Sequence, residues 1–323
     1  MSALVLGAAA GLDFAVGDPW GWPHPVQAMG WVISLYSRVV LAAQQARARP
    51  PWLMKLLGIG LACLLIGGSG WLSWGLLFAL DLVSPALKAL LEVVLLASCF
   101  AGRSLRRAAE DVLNPLASGD VGVPEARNRL AMYVGRDTQH LSAVEIRRAV
   151  LETVSENAID GVLAPLFYAL VGAFMGLALP FAIAYKAAST LDSMVGYRTE
   201  AYKDLGWFSA KFEDALTWLP CRLSVGTVAL LSAHPGRVLR LCWRDARADP
   251  SPNAGWSECA YAAALGVQLG GANTYNGQLK VKPLLANDTR AITADVIVQA
   301  LRLTRWSFLI GLGLGLFGLL ARA

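Results

Sequence analysis

Long runs without a single charge alternate along the chain with short segments dense in charge. Residues 56–80, 161–185 and 306–320 contain no Asp, Glu, Lys or Arg. Each approaches or exceeds the roughly 20 apolar residues a spanning helix needs, or about 17 at minimum. Residues 83–101 form a weaker window, because Lys88 and Glu92 interrupt it. Being four apart, those two can pair on one helical face. The stretch 1–17 is apolar except for Asp13, and no Lys or Arg precedes its apolar core, which argues against a cleavable signal peptide. Trp52, Trp71, Trp74 and Trp306 stand near the ends of apolar runs, as interfacial anchors do. The pattern predicts an all-α, polytopic integral membrane protein with about 4–6 spanning or re-entrant helices and helical or loop segments outside the membrane.

The polar stretches divide the chain further. Residues 103–151 read as mixed-charge extramembrane helices, and this helical segment runs on to about 160. Ser142 followed by Glu145 is a capping-box signature for one of its helices. Residues 244–290, within a polar region reaching about 304, are rich in Gly, Asn, Pro and Asp and read as loops around one short helix, 257–268. Strand signals are sparse, and the whole of 1–323 reads as one membrane-embedded domain. Pro165, Gly172, Gly176 and Pro180 interrupt the apolar window 161–185, which predicts a broken helix or short hairpin. A kink there would carry the polar motifs on either side of it to one pocket.

Composition agrees with the patterning. The chain of 323 residues is 56% hydrophobic and only 16% charged, against about 25% charged in soluble domains. The formal charge of +5 is dispersed, except that Arg38, Arg47, Arg49 and Lys55 stand together without an acid. The positive-inside rule assigns that loop to the cytoplasm. No basic stripe with interleaved aromatics points to nucleic acid. The five cysteines show neither C-x-x-C pairing nor a histidine at ligand spacing, so they read as small buried apolar residues.

Reactive side chains concentrate in 152–214, beside an apolar segment where unpaired charge costs several kcal/mol. Glu152, Glu156 and Asp160 recur every four residues, with Asn157 beside them. A helix stacks such positions on one face, where like charges repel unless a divalent cation such as Mg²⁺ or neighbouring arginines such as Arg147 and Arg148 balance them. Lys186, Thr190 and Ser193 follow at helical spacing with Asp192 adjoining, a set that suits a phosphate and its metal ion. A snorkelling interfacial lysine explains Lys186 equally well. Arg198, Lys203, Lys211 and Arg222 alternate with Glu200, Asp204, Glu213 and Asp214, which alone reads as a salt-bridged surface. Near the N-terminus, Asp13, Asp18 and His24 lie in a turn stiffened by Pro19, Pro23 and Pro25. DPSPNAGWSECA (249–260) opens a helix whose free N–H groups can hold an anion or be capped by Asn253. LGGANTYNG (269–277) reads as a Gly/Asn loop that allows close backbone approach to a ligand.

Taken in order, GDPWGWPHPVQAMG (17–30), ETVSENAIDGVLAPLFY (152–168), YKAASTLDSMVGY (185–197), SAKFEDALTWLPCRLS (209–224), SPNAGW (251–256) and LGGANTYNG resemble the membrane-bound adenosylcobinamide-phosphate synthases of cobalamin biosynthesis, the CobD/CbiB family. The match covers essentially the full length. Four positions depart from the family pattern: Ser189 where Asn is usual, Lys211 for Arg, Glu213 for Asp, and Asp249 where His is common.

The resemblance implies ATP-dependent amide formation between a propionate of adenosylcobyric acid, the corrinoid substrate, and (R)-1-amino-2-propanol or its O-phosphate. Mg²⁺ would accompany ATP. It implies catalytic roles for Glu152, Glu156, Asp160, Lys186 and Asp192, and metal ligation by Glu156, Asp160, Asp192 and Asp214. Substrate binding would fall to Asp18, His24, Asn157, Arg198, Lys203, Arg222, Asn253 and Tyr275. The expected place is the cell (inner) membrane, multi-pass, with the site on the cytoplasmic side. Expected partners are the lipid bilayer, another copy of the chain, or other late cobalamin-pathway membrane enzymes. Two other classes compete: a non-catalytic membrane sensor of the same fold, and a transporter. A sensor has no need of the carboxylate–lysine set, and the two halves show no matching broken segments of the transporter kind.

Overall fold

The computed structural model describes residues 2–18, 21–46, 50–197 and 199–322. In chain order the helices are α1 (Ser2–Ala15), α2 (Pro25–Ala46), α3 (Pro51–Ala62), α4 (Gly68–Val83), α5 (Pro85–Ala97), α6 (Gly102–Leu116), α7 (Val123–Leu130), α8 (Ala143–Asn157), α9 (Ala164–Ala173), α10 (Ala178–Val195), α11 (Trp207–Leu231), α12 (Pro235–Asp245), α13 (Ala254–Leu265) and, after a β-hairpin, α14 (Ala294–Arg322). One-turn π segments, Cys63–Gly67 and Ala158–Leu163, join α3 to α4 and α8 to α9. The protein is a mostly helical, polytopic membrane protein. Five stretches among the described residues are long and apolar enough to span: Pro25–Ala46, Pro51–Val83, Pro85–Leu116, Ala143–Ala173 and Ala294–Arg322. Large apolar side chains such as Leu72, Phe78, Leu82, Leu90, Leu314 and Phe317 stand exposed on α4, α5 and α14, as lipid-facing surfaces require. Trp52, Trp71, Trp74 and Trp306 are exposed with them.

The chain packs as two compact units, the first built from Met1–Ala101, Ala164–Thr217 and Gly311–Ala323, the second from Gly102–Leu163 and Trp218–Ile310. In the first, α10 is the central helix, packed against α2, α4, α5 and α9. Its small residues Ala182, Ala187 and Ala188 are buried and let those neighbours come close. The interrupted window 161–185 is a helical hairpin. Gly172 O accepts the N–H groups of Met175 and Leu177, and Gly176 turns the chain at φ +72°. A Cβ on Gly172 would collide with Leu177 and with Phe181 Cβ, so only glycine permits this approach of the two arms. Pro180 falls in the first turn of α10, where no helical hydrogen bond is lost, whereas Pro165 lies inside the continuous helix Ala143–Ala173, directly after its π segment. Lys88 does not pair with Glu92; it reaches Asp81 at 3.1 Å, an acid at the end of α4 that the α4–α5 turn brings alongside.

In the second unit α8 and α13 are packed together, with α6 and α7 against α8 and α12 against α13. The capping box forms as expected: Ser142 Oγ accepts the Glu145 N–H at 3.3 Å and Glu145 accepts the Ser142 N–H at 2.8 Å. Residues 244–290 depart from the expectation. The short helix comes earlier than 257–268, at Ala254–Leu265, and the chain then forms a two-stranded antiparallel hairpin rather than loop: β1 (Leu269–Tyr275) and β2 (Gln278–Leu285). Asn276 and Gly277, both at positive φ, make the two-residue turn, and both of their N–H groups donate to the Asp137 carboxylate. Leu279, Val281 and Leu284 are exposed while Lys282 is half-buried, so β2 carries these apolar residues outward and buries only Leu285 at its end fully. That inversion, with a glycine-rich partner strand, hides the hairpin from period-two reading.

Candidate functional site

Each unit holds a set of charged side chains inside apolar helices. In the second unit Glu152 is 2% exposed on α8 and receives Arg136 Nη2 at 2.5 Å and the Gly270 N–H at 3.2 Å. Arg136 also donates to Asn273 Oδ1 at 2.9 Å, and Arg148 donates to the carbonyls of Gly270 and Ala272 and to Asn273. The Gly270–Gly271 irregularity of β1 therefore does bring backbone close, but to these side chains. Arg136, rather than Arg147 or Arg148, balances Glu152.

Opposite this lies an acid that sequence patterning did not flag. Glu258, in the otherwise apolar α13, is completely buried, and its Oε1 accepts Lys282 Nζ at 2.9 Å while its Oε2 has no hydrogen-bond partner. Burial, reinforced by Glu156 and Glu152, pushes the Glu258 carboxyl up to about 8 despite Lys282. Burial alone would lower Lys282, but Glu258, Glu156 and Asp249 raise it above the usual lysine range. Four carboxylates (152, 156, 249 and 258) thus share two cations, Lys282 and Arg136. Glu156 is the exposed member. The π segment widens the helix after Asn157, so Asp160 leaves the simple four-residue stack. Asn157 is exposed, its amide bonded to Thr153 O at 3.0 Å. A lone Glu in GWSECAYAAAL was the available signal, because a charge in a helix apolar all round needs a partner.

The first unit holds the second set. Glu213 on α11 is 7% exposed and accepts hydrogen bonds from Thr217 Oγ1 at 2.5 Å and Tyr185 Oη at 3.4 Å. Outside the five spanning stretches, its carboxyl is pushed up to about 7 by burial, with Asp192 and Asp214 adding to the rise and Thr217 opposing it. Lys186 is half-buried on α10, and it and Asp18 both act electrostatically on the Cys99 position. Thr190 and Ser193 return their hydroxyl protons to carbonyls of their own helix, Lys186 O at 2.7 Å and Thr190 O at 3.0 Å. His24 Nε2 sits 3.3 Å from Asp18, and its Nδ1 accepts the Val26 N–H at 3.1 Å, which places the neutral ring's proton on Nε2.

The remaining expected binding residues have local engagements. Arg222 donates to Asn253 Oδ1 at 2.7 Å and Pro252 O at 2.8 Å and lies against the rings of Trp218 and Trp256. Asn253 consequently leaves the capping of α13 to Ser251 Oγ, which accepts the Ala254 N–H at 3.1 Å. Lys203 pairs with Glu200 at 2.7 Å in the open, and Tyr275 carries Lys280 over its ring. Arg198 lies outside the described residues. Of the expected metal set, Glu156 and Asp160 belong to the second unit, Asp192 and Asp214 to the first. Among the described residues no group of three or more His, Cys, Asp or Glu side chains is placed to hold a metal ion.

The family described as CobD/Cbib protein matches residues 6–304. The chain is 50% identical to the cobalamin biosynthesis protein CobD of Synechocystis sp. over 325 residues, 99% of this chain and 93% of that one. It is 42% identical to the cobalamin biosynthesis protein CbiB of Salmonella choleraesuis over 297 residues (90% and 89%). It is 40% identical to the CobD of Citrobacter koseri over 296 residues (90% and 89%). No solved structure matches the chain. With the profile spanning nearly every residue and the charged sets falling on the matching segments, the chain belongs to the CobD/CbiB family and works in cobalamin biosynthesis.

Proposed function

We propose that this protein is an ATP-dependent acid–amine ligase, joining a propionate of adenosylcobyric acid to (R)-1-amino-2-propanol or its O-phosphate to give adenosylcobinamide or its phosphate. The reading is carried by one observation: Glu152 and Glu213, on helix segments that bear the family words, are held buried in partnered sets. Holding such groups costs several kcal/mol, a cost that structural helices avoid.

A carboxylate is a poor acyl donor. Transfer of the γ-phosphoryl group of ATP to the propionate oxygen gives an acyl phosphate and ADP. The amine then attacks the acyl carbon, phosphate leaves with the bonding pair, and the ammonium proton passes to a carboxylate. Catalysis of phosphoryl transfer is chiefly positioning and charge neutralisation. Lys186 has the reach and partial exposure to meet phosphate oxygens. Magnesium bound with a nucleotide takes one or two protein carboxylates beside the phosphates. Asp192 and Asp214, both felt by Glu213, fit that donor set, and the ion would supply charge neutralisation there. Asp18 and His24 form a held acid–imidazole pair suited to amide or hydroxyl groups of the corrinoid rim. An inner-membrane location with the site facing the cytoplasm follows from where ATP is made.

The test is purified protein in detergent with adenosylcobyric acid, aminopropanol phosphate, Mg²⁺ and ATP, followed by chromatography of corrinoids and ADP. A new corrinoid with stoichiometric ADP is the expected result, and Glu156→Gln and Lys186→Ala should each lower it by about 100-fold or more while the protein still accumulates in membranes. Near-normal turnover in both variants would remove these roles. Corrinoid binding without turnover in the wild type would favour the sensor.

A further inference from the structure

We propose that Glu258, Asp249 and Glu156 form a binding site for a protonated primary amine in the second unit. The proposal rests on the ligase reading for its choice of amine, and places the nucleophile of that reaction on residues of α13, the turn before it and α8. Three observations carry it.

First, the site already holds one alkylammonium. Lys282 Nζ docks on Glu258 Oε1 at 2.9 Å, which shows what chemistry these carboxylates accept. Second, that docking uses half of the carboxylate. Glu258 is fully buried and its Oε2 has no hydrogen-bond partner; Asp249 Oδ2, in the same electrostatic neighbourhood, is likewise buried and unpartnered. Buried carboxylate oxygens are almost always satisfied, so two orphans in one cluster call for donors. Third, the charge count is one-sided. Glu152 is taken up by Arg136 and the Gly270 N–H, leaving Lys282, with Arg136 acting besides on Glu156, to answer Glu156, Asp249 and Glu258.

An ammonium brings three N–H donors and one positive charge, matching both deficits. A divalent ion matches the charge but not the geometry, since no group of three acidic ligands among the described residues is placed around a common point. Glu156, exposed where Glu258 is not, is the residue an incoming amine meets. Asp249 is held for its part: Oδ1 accepts the Ser251 N–H at 2.8 Å, which fixes the carboxylate and leaves Oδ2 for a ligand.

The experiment is a calorimetric titration of the full chain in detergent with 1-amino-2-propanol, with 1,2-propanediol as the uncharged analogue and Mg²⁺ alone as a competitor. The wild type should bind the amine saturably, the diol at least ten-fold more weakly, and Mg²⁺ should not displace the amine. Glu258→Gln and Asp249→Asn should each weaken amine binding about ten-fold or more. Asp249→Asn keeps the oxygen that accepts the Ser251 N–H, so it decides the matter if Glu258→Gln fails to fold. Amine affinity unchanged in Asp249→Asn, equal binding of the diol, or displacement by Mg²⁺ would each overturn the site. The two readings fail separately. Amine binding that is lost in the variants, in a wild type that forms no amide, leaves this site standing and ends the ligase. Amide formation with undiminished amine binding in the variants does the reverse.

Discussion

The two charged sets solve one problem in different ways. In the second unit, buried carboxylates are met by full cations: Arg136 on Glu152 at 2.5 Å and Lys282 on Glu258 at 2.9 Å. In the first, Glu213 is met by hydroxyls, Thr217 and Tyr185, with two further acids, Asp192 and Asp214, near enough to push its carboxyl up to about 7. The Arg136 pair fixes Glu152, while Lys282 docks on Glu258 without preventing burial from pushing that carboxyl up to about 8. Hydroxyl partners beside other acids leave Glu213 poised between charged and neutral near physiological pH, so a proton or an incoming cation decides its state. Glu213 is therefore a responsive group, as is the still more strongly raised Glu258, and the Arg136–Glu152 pair is the scaffold.

The sharpest way to break that contrast is to remove a cation from the scaffold. Arg136→Ala leaves Glu152, 2% exposed, without its guanidinium and should destabilise the protein by about 3–5 kcal/mol. Thermal unfolding in detergent reads the loss. Pairing it with Glu152→Leu should restore much of it, because a matched apolar replacement removes the stranded charge. Full stability in Arg136→Ala alone would mean that Glu152 is held by the Gly270 N–H and does not need the cation.

How far these sets were legible in the sequence comes down to the same physics. Three of the five spanning stretches were readable from the windows 56–80, 83–101 and 306–320, because a run near 20 residues with little charge has few other uses in a protein. Pro25–Ala46, which carries Arg38, and Ala143–Ala173, which is charged through its first half and reads as extramembrane, were not. The hairpin between α9 and α10 was foreshadowed by Gly172 and Gly176, whose roles are purely local. Glu152 and Glu156 stood out by spacing. Arg136, Lys282 and Glu258 did not, since their partners come from distant or differently patterned elements. Arg136 meets Asn273 from 137 positions away, and Lys282 is on a strand whose apolar residues Leu279 and Val281 face out. Only the fold brings β2 to α13. The Asn276–Gly277 turn was the one local sign of that hairpin, and the glycines before it masked the strand it closes.

A smaller effect sharpens the comparison on the responsive side. Glu213 moves from an ordinary carboxylate value of 4.5 when unfolded to about 7 when folded. Between those values the native state keeps a proton that the unfolded chain has lost, so stability falls as pH rises through that window and levels off above it. The contribution is at most about 3 kcal/mol. Glu213→Gln holds the site neutral at every pH. Its melting temperature should decline less than that of the wild type between pH 5 and 8, and the two curves should differ most at the alkaline end. Parallel curves would show that Glu213 does not titrate there.

The smallest effect isolates the hydroxyls themselves. Thr217 is fully buried and its Oγ1 donates to Glu213 and lies 2.8 Å from Tyr185 Oη. Thr217→Val keeps the shape and removes the donor, at a cost of about 1–2 kcal/mol. Because that hydrogen bond favours the charged carboxylate, its loss should raise the Glu213 transition further, moving the pH above which the melting curves with and without Glu213→Gln stop diverging toward alkaline values in the Thr217→Val background. The matching loss in the second unit, Lys282→Met, removes a cation instead of a dipole and should lift Glu258 from about 8 by more than Thr217→Val lifts Glu213. If the two shifts are equal, charge and hydroxyl do the same work in holding these two raised carboxyls.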